Sequence, residues 1–185
     1  SSDVCSSDLA NLTLTNTEFD ANNNIIRFGV FTQNGGTFTG GSNSIDFSYF
    51  NLNNGTFNST SGTLTVTRNI TQSGGTFNHN NGTVLNRSTS TVANSISVID
   101  NFYNLTLSGF DDSSVVTFQT SFTVDGDLTA SCLGTDDRED VYVYGSGNPT
   151  ITVEGNLIFP NQSSNAIFNF GGSAGNAFSI DLRGN

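Results

Sequence analysis

Apolar and polar residues alternate with a period of two in many short segments of this chain. Successive side chains of a β-strand point to opposite faces, so this period predicts strands with one buried face. Gly, Asn and Ser separate the segments, and Gly and Asn tolerate the left-handed backbone conformations that tight corners require. Because no window has a helical period, we expect an all-β fold. The alternating segments are Leu12/Leu14, Ile26/Phe28/Val30, Ile45/Phe47, Leu64/Val66, Ile96/Val98, Leu105/Leu107 and Val116/Phe118.

A tripeptide, Gly-Thr-Phe, repeats along the first half of the chain. It occurs at residues 36–38, 55–57 and 75–77, so that successive copies begin 19 and then 20 positions apart. The second and third copies are each followed, seven positions later, by Gly-Thr-apolar, at residues 62–64 and 82–84. Each unit therefore contains two such steps separated by a polar turn. Self-similarity at a fixed period is typical of repeat architectures.

A second repeat, apolar-x-Gly-Asp/Asn, occupies the second half of the chain. It occurs at residues 124–127, 153–156 and 182–185, so that each copy begins 29 positions after the one before it. Another apolar residue lies two positions before each copy. The longer interval predicts longer coils, or larger loops, towards the C-terminus.

Short strands that repeat in this way predict a parallel β-solenoid, in which each coil pairs with the coils above and below it. Coils of about 20 residues would be followed by coils of about 29 residues. Stacked Phe, Val, Ile and Leu side chains would fill the interior, and Asn side chains would stack into hydrogen-bonded ladders. The alternative is an antiparallel β-sandwich or barrel, which also has closely spaced short strands. The exact recurrence of the second repeat and the duplicated Gly-Thr-apolar unit favour the solenoid.

The first nine residues, SSDVCSSDL, resemble the translation of a short-read sequencing adapter joined to a reading frame. We therefore interpret residues 1–9 as a non-native tail and exclude them from the fold. Residues 10–185 are predicted to form a single β-solenoid domain that is truncated at both ends. Without Cys5, Cys132 has no disulfide partner, and we expect it to be a small buried residue.

The chain is acidic, with sixteen Asp and Glu residues, five Arg, no Lys and a formal net charge of −11. This charge argues against nucleic-acid partners, whose phosphates require Lys and Arg, and against anionic membrane surfaces. No apolar run is long enough to span a membrane, so we expect no membrane insertion. Sixteen Phe residues, together with frequent Thr, Val and Ile, distinguish the chain from a disordered one and favour strands.

Three tracts, at residues 74–84, 104–109 and 122–129, resemble the repeats of large secreted bacterial right-handed β-helix proteins. These are adhesin-like surface proteins, which often end in a separate secretion and anchoring tail. The resemblance implies a right-handed parallel β-solenoid located outside the cell or at the cell surface. It also implies extracellular polysaccharide or cell-surface ligands as partners, and further coils of the full-length chain stacked on this one. We expect a structural, adhesin-like segment.

The densest group of acidic residues is Asp136, Asp137, Glu139 and Asp140. Ca²⁺ prefers several carboxylate oxygens, so this run is the one candidate metal site and calcium the one candidate cofactor. The run lacks the alternating Asp/Asn spacing and the Gly of an EF-hand loop. We therefore favour a solvated acidic loop and keep calcium as the alternative.

A pectin-degrading enzyme is the catalytic alternative, because those enzymes share the right-handed β-helix. Polysaccharide hydrolysis needs convergent carboxylates that act as acid and base, and the pairs Asp111-Asp112 and Asp136-Asp137 are superficially suitable. The family's hydrolase pattern also contains Gly-His-Gly and Arg-x-Lys, whereas the only histidine here, His79, lies between two Asn residues and Lys is absent. We predict no catalysis in this segment. A polysaccharide-degrading enzyme and a carbohydrate-binding module remain the alternatives.

Three further polar residues are predicted to form turns. Asp125 and Asp127 flank Gly126 in the second repeat, and the other two copies do not keep both charges. Asp at such positions is explained by hydrogen bonds to the local backbone. His79 is likewise predicted to be an exposed turn residue, because no Cys or second His exists to complete a transition-metal site with it.

The segment at residues 63–67, Thr-Leu-Thr-Val-Thr, raises a remote alternative, an ice-binding solenoid with a flat array of Thr side chains. Such an array should repeat on one face of every coil. Alignment of the repeats places Thr65 opposite Leu85 and Thr67 opposite Arg87. The predicted array therefore ends after one coil.

Residues 10–185 contain no evident cap at either end, although the terminal repeats of a solenoid need caps. We expect this segment, expressed alone, to aggregate or to fray at its termini. Size-exclusion chromatography and thermal denaturation followed by circular dichroism would measure this. A monomer with a sharp two-state melt would contradict the prediction.

Overall fold

A computed structural model describes residues 9–88, 93–109, 114–132, 140–160, 167–171 and 177–184 of the chain. These residues form eighteen strands and no helix, so they contain no helix that could cross a membrane. The strands are β1 (Leu12–Leu14), β2 (Glu18–Asp20), β3 (Ile26–Thr39), β4 (Ile45–Asn58), β5 (Thr63–Val66), β6 (Ile70–Gln72), β7 (Thr76–Asn78), β8 (Thr83–Ser88), β9 (Asn94–Ser97), β10 (Asn104–Gly109), β11 (Ser114–Phe118), β12 (Phe122–Val124), β13 (Leu128–Cys132), β14 (Asp140–Gly145), β15 (Thr150–Val153), β16 (Leu157–Ile158), β17 (Ile167–Phe170) and β18 (Ser179–Leu182).

Every strand pair in the described part of the chain is parallel and joins strands of successive coils. One column of paired residues follows the whole axis, and six turns separate its first member from its last. The structure therefore confirms the predicted all-β parallel solenoid and rules out the antiparallel sandwich. The column consists of Ile26, Ile45, Leu64, Val84, Leu105, Leu128 and Leu157.

The coils lengthen along the chain, as the repeats predicted. Paired positions of β3 and β4 are 19 apart over most of their length, and those of β5 and β8 are 20 apart. The separation is 23 positions between β10 and β13. It reaches 29 positions between β12 and β15 and between β13 and β16. The transition is gradual, and it begins above β7.

The buried face changes within the two longest strands, β3 and β4. The period of two predicted Val30 on the buried face, but Val30 is half-buried and the next residue, Phe31, is fully buried. In β4, Phe47 and Phe50 are both buried, and Tyr49 between them is exposed. Each of these strands turns a corner of the coil, and the side chains that point inwards shift by one position there. The prediction for Val30 is wrong for this reason.

A ladder of four phenylalanine rings fills one side of the interior. Phe19, Phe38, Phe57 and Phe77 stack with ring centroids 5.3, 4.6 and 5.7 Å apart and interplanar angles of 4°, 7° and 6°. These distances are close to the spacing of hydrogen-bonded strands, about 4.8 Å. The Phe of each Gly-Thr-Phe copy therefore stacks on the Phe ring of the coil below, and this stacking explains why Phe is repeated. Aromatic pairs of this kind contribute about 0.5–1.5 kcal/mol beyond the area they bury.

A second phenylalanine ladder packs edge-on against the first. Phe31 and Phe50 stack at 5.6 Å and 7°. Phe31 meets Phe38 at 76°, and Phe50 meets Phe57 at 77°, with centroids 5.3 and 4.8 Å apart. Rings stack along the axis and meet edge to face across it, which are the two arrangements that the aromatic quadrupole favours.

Asparagine side chains also form the predicted ladders. On the outer surface, Asn78 donates a hydrogen bond through Nδ2 to Oδ1 of Asn58, one coil below, at 2.7 Å. Asn53 likewise donates to Oδ1 of Asn34, one coil below, at 2.8 Å, whereas the buried pair Asn94 and Asn86, at 3.2 Å, joins two strands of the same coil. Amide groups can both donate and accept, so a stacked pair satisfies part of its own hydrogen-bonding capacity.

A column of glycines explains the first residue of each Gly-Thr-Phe unit. Gly36, Gly55 and Gly75 have φ angles of 72°, 90° and 70°, in the left-handed region that glycine enters without a steric cost. The coils also approach each other closely here. A Cβ on Gly55 would lie 2.5 Å from the carbonyl oxygen of Gly36, and one on Gly75 would lie 2.7 Å from that of Gly55.

We expect Gly55→Ala to destabilise the fold more than Gly147→Ala. Gly147 has a similar φ of 81°, but a Cβ there would have no neighbour within 4 Å. Gly147→Ala therefore adds only the cost of a left-handed alanine, about 1–2 kcal/mol. Gly55→Ala adds a clash with the coil below, worth about 1–3 kcal/mol more. Urea denaturation of both variants measures the difference in the free energy of unfolding. Equal decreases would show that the coils can move apart at Gly55 at no cost.

Candidate functional site

The regular stacking of coils is interrupted above β7. Within the described residues, β7 pairs with β4 below it and with no other strand. The pairing of β6 with β9 joins Ile70 to Ile96, and this step along the chain is longer than the one from β4 to β6, which joins Phe50 to Ile70. The core stays closed, because the rings of Phe77 and Phe102 still meet at 5.8 Å and 76°. The outer layer does not close.

An open groove of about 380 Å³ occupies this interruption. It lies at the small end of the range of ligand pockets, about 300–1,000 Å³. Three successive coils contribute to it: β7 and the turn after it, the segment before β10, and the turn after β12. Its lining residues include Asn78, His79, Asn80, Ile99, Asn101 and Asp125.

The base of the groove is held by a carboxylate in place of a strand. Asp100 accepts two hydrogen bonds at Oδ2, from the backbone N–H of Phe77 at 2.7 Å and from Nε2 of Gln72 at 2.6 Å. Gln72 is buried, and its Oε1 accepts hydrogen bonds from the N–H groups of Ile99 and Asp100, at 3.2 and 3.1 Å. Asp100 therefore satisfies a strand-edge donor that no further strand reaches among the described residues.

The upper wall contains a histidine–aspartate pair. Nε2 of His79 lies 3.3 Å from Oδ2 of Asp125, and Nδ1 of His79 accepts a hydrogen bond from the N–H of Asn81 at 3.0 Å. The accepting Nδ1 leaves the ring hydrogen of a neutral imidazole on Nε2, pointing towards the carboxylate. Asn101 donates to the other oxygen of Asp125, Oδ1, at 3.2 Å.

Tyr103 supports the histidine ring. The two rings stack at 5.6 Å with an interplanar angle of 27°. His79, Tyr103 and Asp125 belong to three successive coils, so the imidazole reaches from its own coil to the two coils above it. This position explains why the His79 side chain is only 27% exposed although it lies in a turn.

Asparagines set the direction of the turn that carries His79. Asn80 and Asn81 have φ angles of 50° and 56°, and the N–H of Gly82 donates to the carbonyl of His79 at 3.0 Å. Two consecutive left-handed residues within a hydrogen-bonded turn are typical of a type I′ turn, and Asn is favoured there. The Asn-rich sequence around His79 is therefore what points the imidazole along the surface towards Asp125.

The predicted calcium run lies mostly outside the described residues. This applies to Asp136, Asp137 and Glu139, while the backbone of Asp140 begins β14. The pair Asp111-Asp112 and the side chain of Cys132 also lie outside them. Among the residues that the structure describes, no group of three or more His, Cys, Asp or Glu side chains could hold a metal ion. Calcium at residues 136–140 stays a prediction.

The sequence predicted His79 and Asp125 in turns and treated them as unrelated; the prediction that His79 is exposed is wrong, because its ring is half-buried against Tyr103 and Asp125. His79 and Asp125 are far apart along the chain and meet because two coils of unequal length separate them. Asp127 bonds neighbouring coils and not the local backbone as predicted: its N–H donates to Asn104 Oδ1, and its own Oδ1 accepts from the N–H of Asn156. The one signal for this site in the sequence was the longer spacing between repeats after β7.

The predicted end of the threonine array is confirmed. Thr65 pairs with Leu85 in the register of β5 with β8. A flat face of threonines therefore does not continue from one coil to the next at this position.

The groove contains parts of a general acid–base site. An imidazole oriented by a carboxylate resembles the base and its orienting group in nucleophilic hydrolases. Among the described groove residues, Thr76 is the only hydroxyl, and the carboxylates are Asp100 and Asp125. Asp100 is committed to Phe77 and Gln72. Hydrogen-bonding recognition of a ligand is therefore the chemistry that the groove supports best.

Three comparisons with known proteins give no match. No family model matches the sequence, no curated protein matches it, and no solved structure matches the fold. The groove is therefore interpreted from its own geometry.

We expect Asp100→Ala to lower the free energy of unfolding by about 2–4 kcal/mol, because it leaves the Phe77 N–H and the Gln72 amide without their acceptor. Asp46→Ala is the matched control. Asp46 forms an exposed ion pair with Arg27 at 3.0 Å, and its loss should cost less than about 1 kcal/mol. Chemical denaturation measures both. Equal effects would show that Asp100 does not hold the base of the groove.

Proposed function

We propose that this chain is a structural, adhesin-like segment of an exported bacterial surface protein and has no catalytic activity of its own. The observation that carries the proposal is the parallel stacking of about six turns around one continuous apolar core. A solenoid of this kind grows by adding coils, and its length sets how far a surface is held from its anchor.

The surface chemistry agrees with an extracellular role. The net charge of −11 disfavours nucleic acids and anionic membranes as partners. The two arginines at opposite ends of the described coils bind acids of this chain: Arg27 binds Asp46, and Arg183 binds Asp181 and Glu154. The hydrogen bond and charge of Asp181, followed by the charge of Glu154, raise the pKa of Arg183 above its ordinary value. These cations are thus occupied within the molecule.

A second candidate function is polysaccharide cleavage. The observation that favours it is the His79–Asp125 pair at the edge of an open groove. General base catalysis by His79 on a sugar hydroxyl or on water is the reaction this pair could serve. The engagement of Asp100 with the backbone leaves the pair without a second uncommitted carboxylate among the described groove residues. For this reason we rank cleavage below adhesion.

We expect cells that display the chain to be retained on polysaccharide-coated surfaces without degrading the coat. The chain would be fused to an outer-membrane anchor in a non-adherent bacterium, and retention under flow would be measured on several polysaccharide coats. Cells that display the anchor alone are the control. Released reducing ends and unsaturated sugars would be measured in the same chambers.

Retention above the control with no released product supports the proposal. Retention equal to the control on every coat would overturn the adhesin-like function. Release of product that disappears in a His79→Ala variant would establish the second candidate instead.

A further inference from the structure

The groove above β7 is lined by groups that match hydroxyls. Asn78, Asn80 and Asn101 each donate one amide hydrogen bond within the chain, to Asn58, Ser59 and Asp125, which leaves each amide a second N–H and its oxygen for a ligand, and Asp125 adds carboxylate oxygens. A hydroxyl also donates and accepts, so each ligand hydroxyl could find both partners within this set. Small-molecule sites typically combine a few convergent polar groups of this kind with apolar surface.

The apolar surface of the groove is Ile99. Its side chain is 60% exposed, although most large aliphatic residues of the described coils lie in the core. Ile99 is held at the rim because its backbone N–H is bound to the buried Gln72. An exposed apolar side chain next to amides suits a ligand with one apolar face and a ring of hydroxyls, which describes a sugar ring.

The charge of the groove excludes acidic ligands. Its described lining residues include the carboxylates of Asp100 and Asp125, no Arg and no Lys. Both ring nitrogens of His79 are engaged within the chain, since Nδ1 accepts the N–H of Asn81 and Nε2 faces Asp125. A uronate or phosphate placed here would meet like charges with no cation among these residues to offset them, within a chain that is itself strongly acidic.

The carboxylates of Asp100 and Asp125 do not need a cationic ligand to balance their charges. Asp100 already accepts two N–H donors, and Asp125 accepts one from Asn101 and faces Nε2 of His79. Their charges are therefore balanced by dipoles of the chain before any ligand binds. A metal ion is also a poor fit, since His79 and Asp125 offer two ligands where transition metals take at least three from the protein.

An added peptide strand is excluded by the same geometry. The free edge of β7 would be the place for strand addition, because its other edge is paired with β4. The edge donor of Phe77 is already bound by the Asp100 carboxylate. Natural sheets protect their edges in this way, with an inward-pointing charge, and the backbone pairing that strand addition needs is blocked.

We propose that the groove formed by Asn78, Asn80, Ile99, Asn101 and Asp125 binds a neutral saccharide. Ile99 packs against the apolar face of a sugar ring, and the asparagine amides and Asp125 bind its hydroxyls. This inference rests on the proposed adhesin-like function, for which it names a ligand class and a binding site.

The test is a titration of the whole ¹⁵N-labelled chain with linear oligosaccharides, followed by NMR. The probes are gluco- and galacto-oligosaccharides as neutral ligands, oligogalacturonate as the acidic ligand and deacetylated chitosan oligomers as the cationic ligand. We expect at least one neutral series to shift the backbone resonances of Asn78 and Ile99 and the side-chain amide of Asn101. Oligogalacturonate should leave them unchanged.

Ile99→Ala should weaken binding of the neutral oligosaccharide about five- to tenfold, because part of a buried aliphatic side chain is lost. The matched control is Ile25→Ala, which removes an isoleucine that is 61% exposed at the turn before β3, away from the groove. Its affinity should equal that of the parent chain. Asn101→Ala should weaken binding by a similar factor, because it removes an amide that also holds Asp125.

Three outcomes would overturn the inference: no shift with any neutral series, binding of the acidic or cationic oligomer alone, or neutral binding that both groove variants leave unchanged. Because both isoleucines are exposed, the variants keep the core, and dispersed NMR spectra would verify their folding. The two proposals can fail separately. If cells that display the chain still adhere, but the groove variants bind oligosaccharide as well as the parent chain does, the adhesin-like function stands and the groove is not the binding site.

Discussion

Parallel hydrogen bonding between successive coils sets each coil about 4.8 Å above the one before it. A side chain in the interior therefore meets the same position of the neighbouring repeat at a distance that suits stacked rings. The four phenylalanines from Phe19 to Phe77 satisfy this condition with nearly parallel planes. The same short distance excludes a Cβ in the glycine column, where the backbone of Gly55 lies directly above that of Gly36. Repetition in the sequence is thus a direct consequence of the spacing between strands.

The groove arises where the backbone pairing between successive coils is lost on one face of the solenoid and kept on the others. The core remains continuous through the contact of Phe77 with Phe102, while β7 has no strand above it among the described residues. A side-chain network of Gln72 and Asp100 then supplies the hydrogen bonds that the ladder would have supplied. Polar residues accumulate at the interruption because each exposed edge group needs a partner, and the same residues are available to a ligand.

The fold was predictable because its determinants are local and repeated. The intervals between sequence repeats reappear directly in the register of β3 with β4 and of β12 with β15. The change of buried face at Phe31 was not predictable from a period of two, because the period says nothing about where a coil turns a corner. The meeting of His79 with Asp125 depends on the summed length of two irregular coils, and nothing local to either residue reports it. Sequence periodicity therefore predicts the regular coils of a solenoid. Where the period changes, it shows that the coils are irregular but does not predict which residues meet there.

The one-sided pairing of β7 also bears on how the molecule responds to force. Along most of the axis, tension on the two ends of the solenoid would load a full set of backbone hydrogen bonds between coils. At β7 one face of the coil carries this load only through the Phe77–Phe102 contact and the bonds of Asp100, while β5 and β6 of the same coil stay paired with β8 and β9. That face would open before its neighbours, and the groove would widen while the remaining backbone hydrogen bonds held the upper and lower coils together.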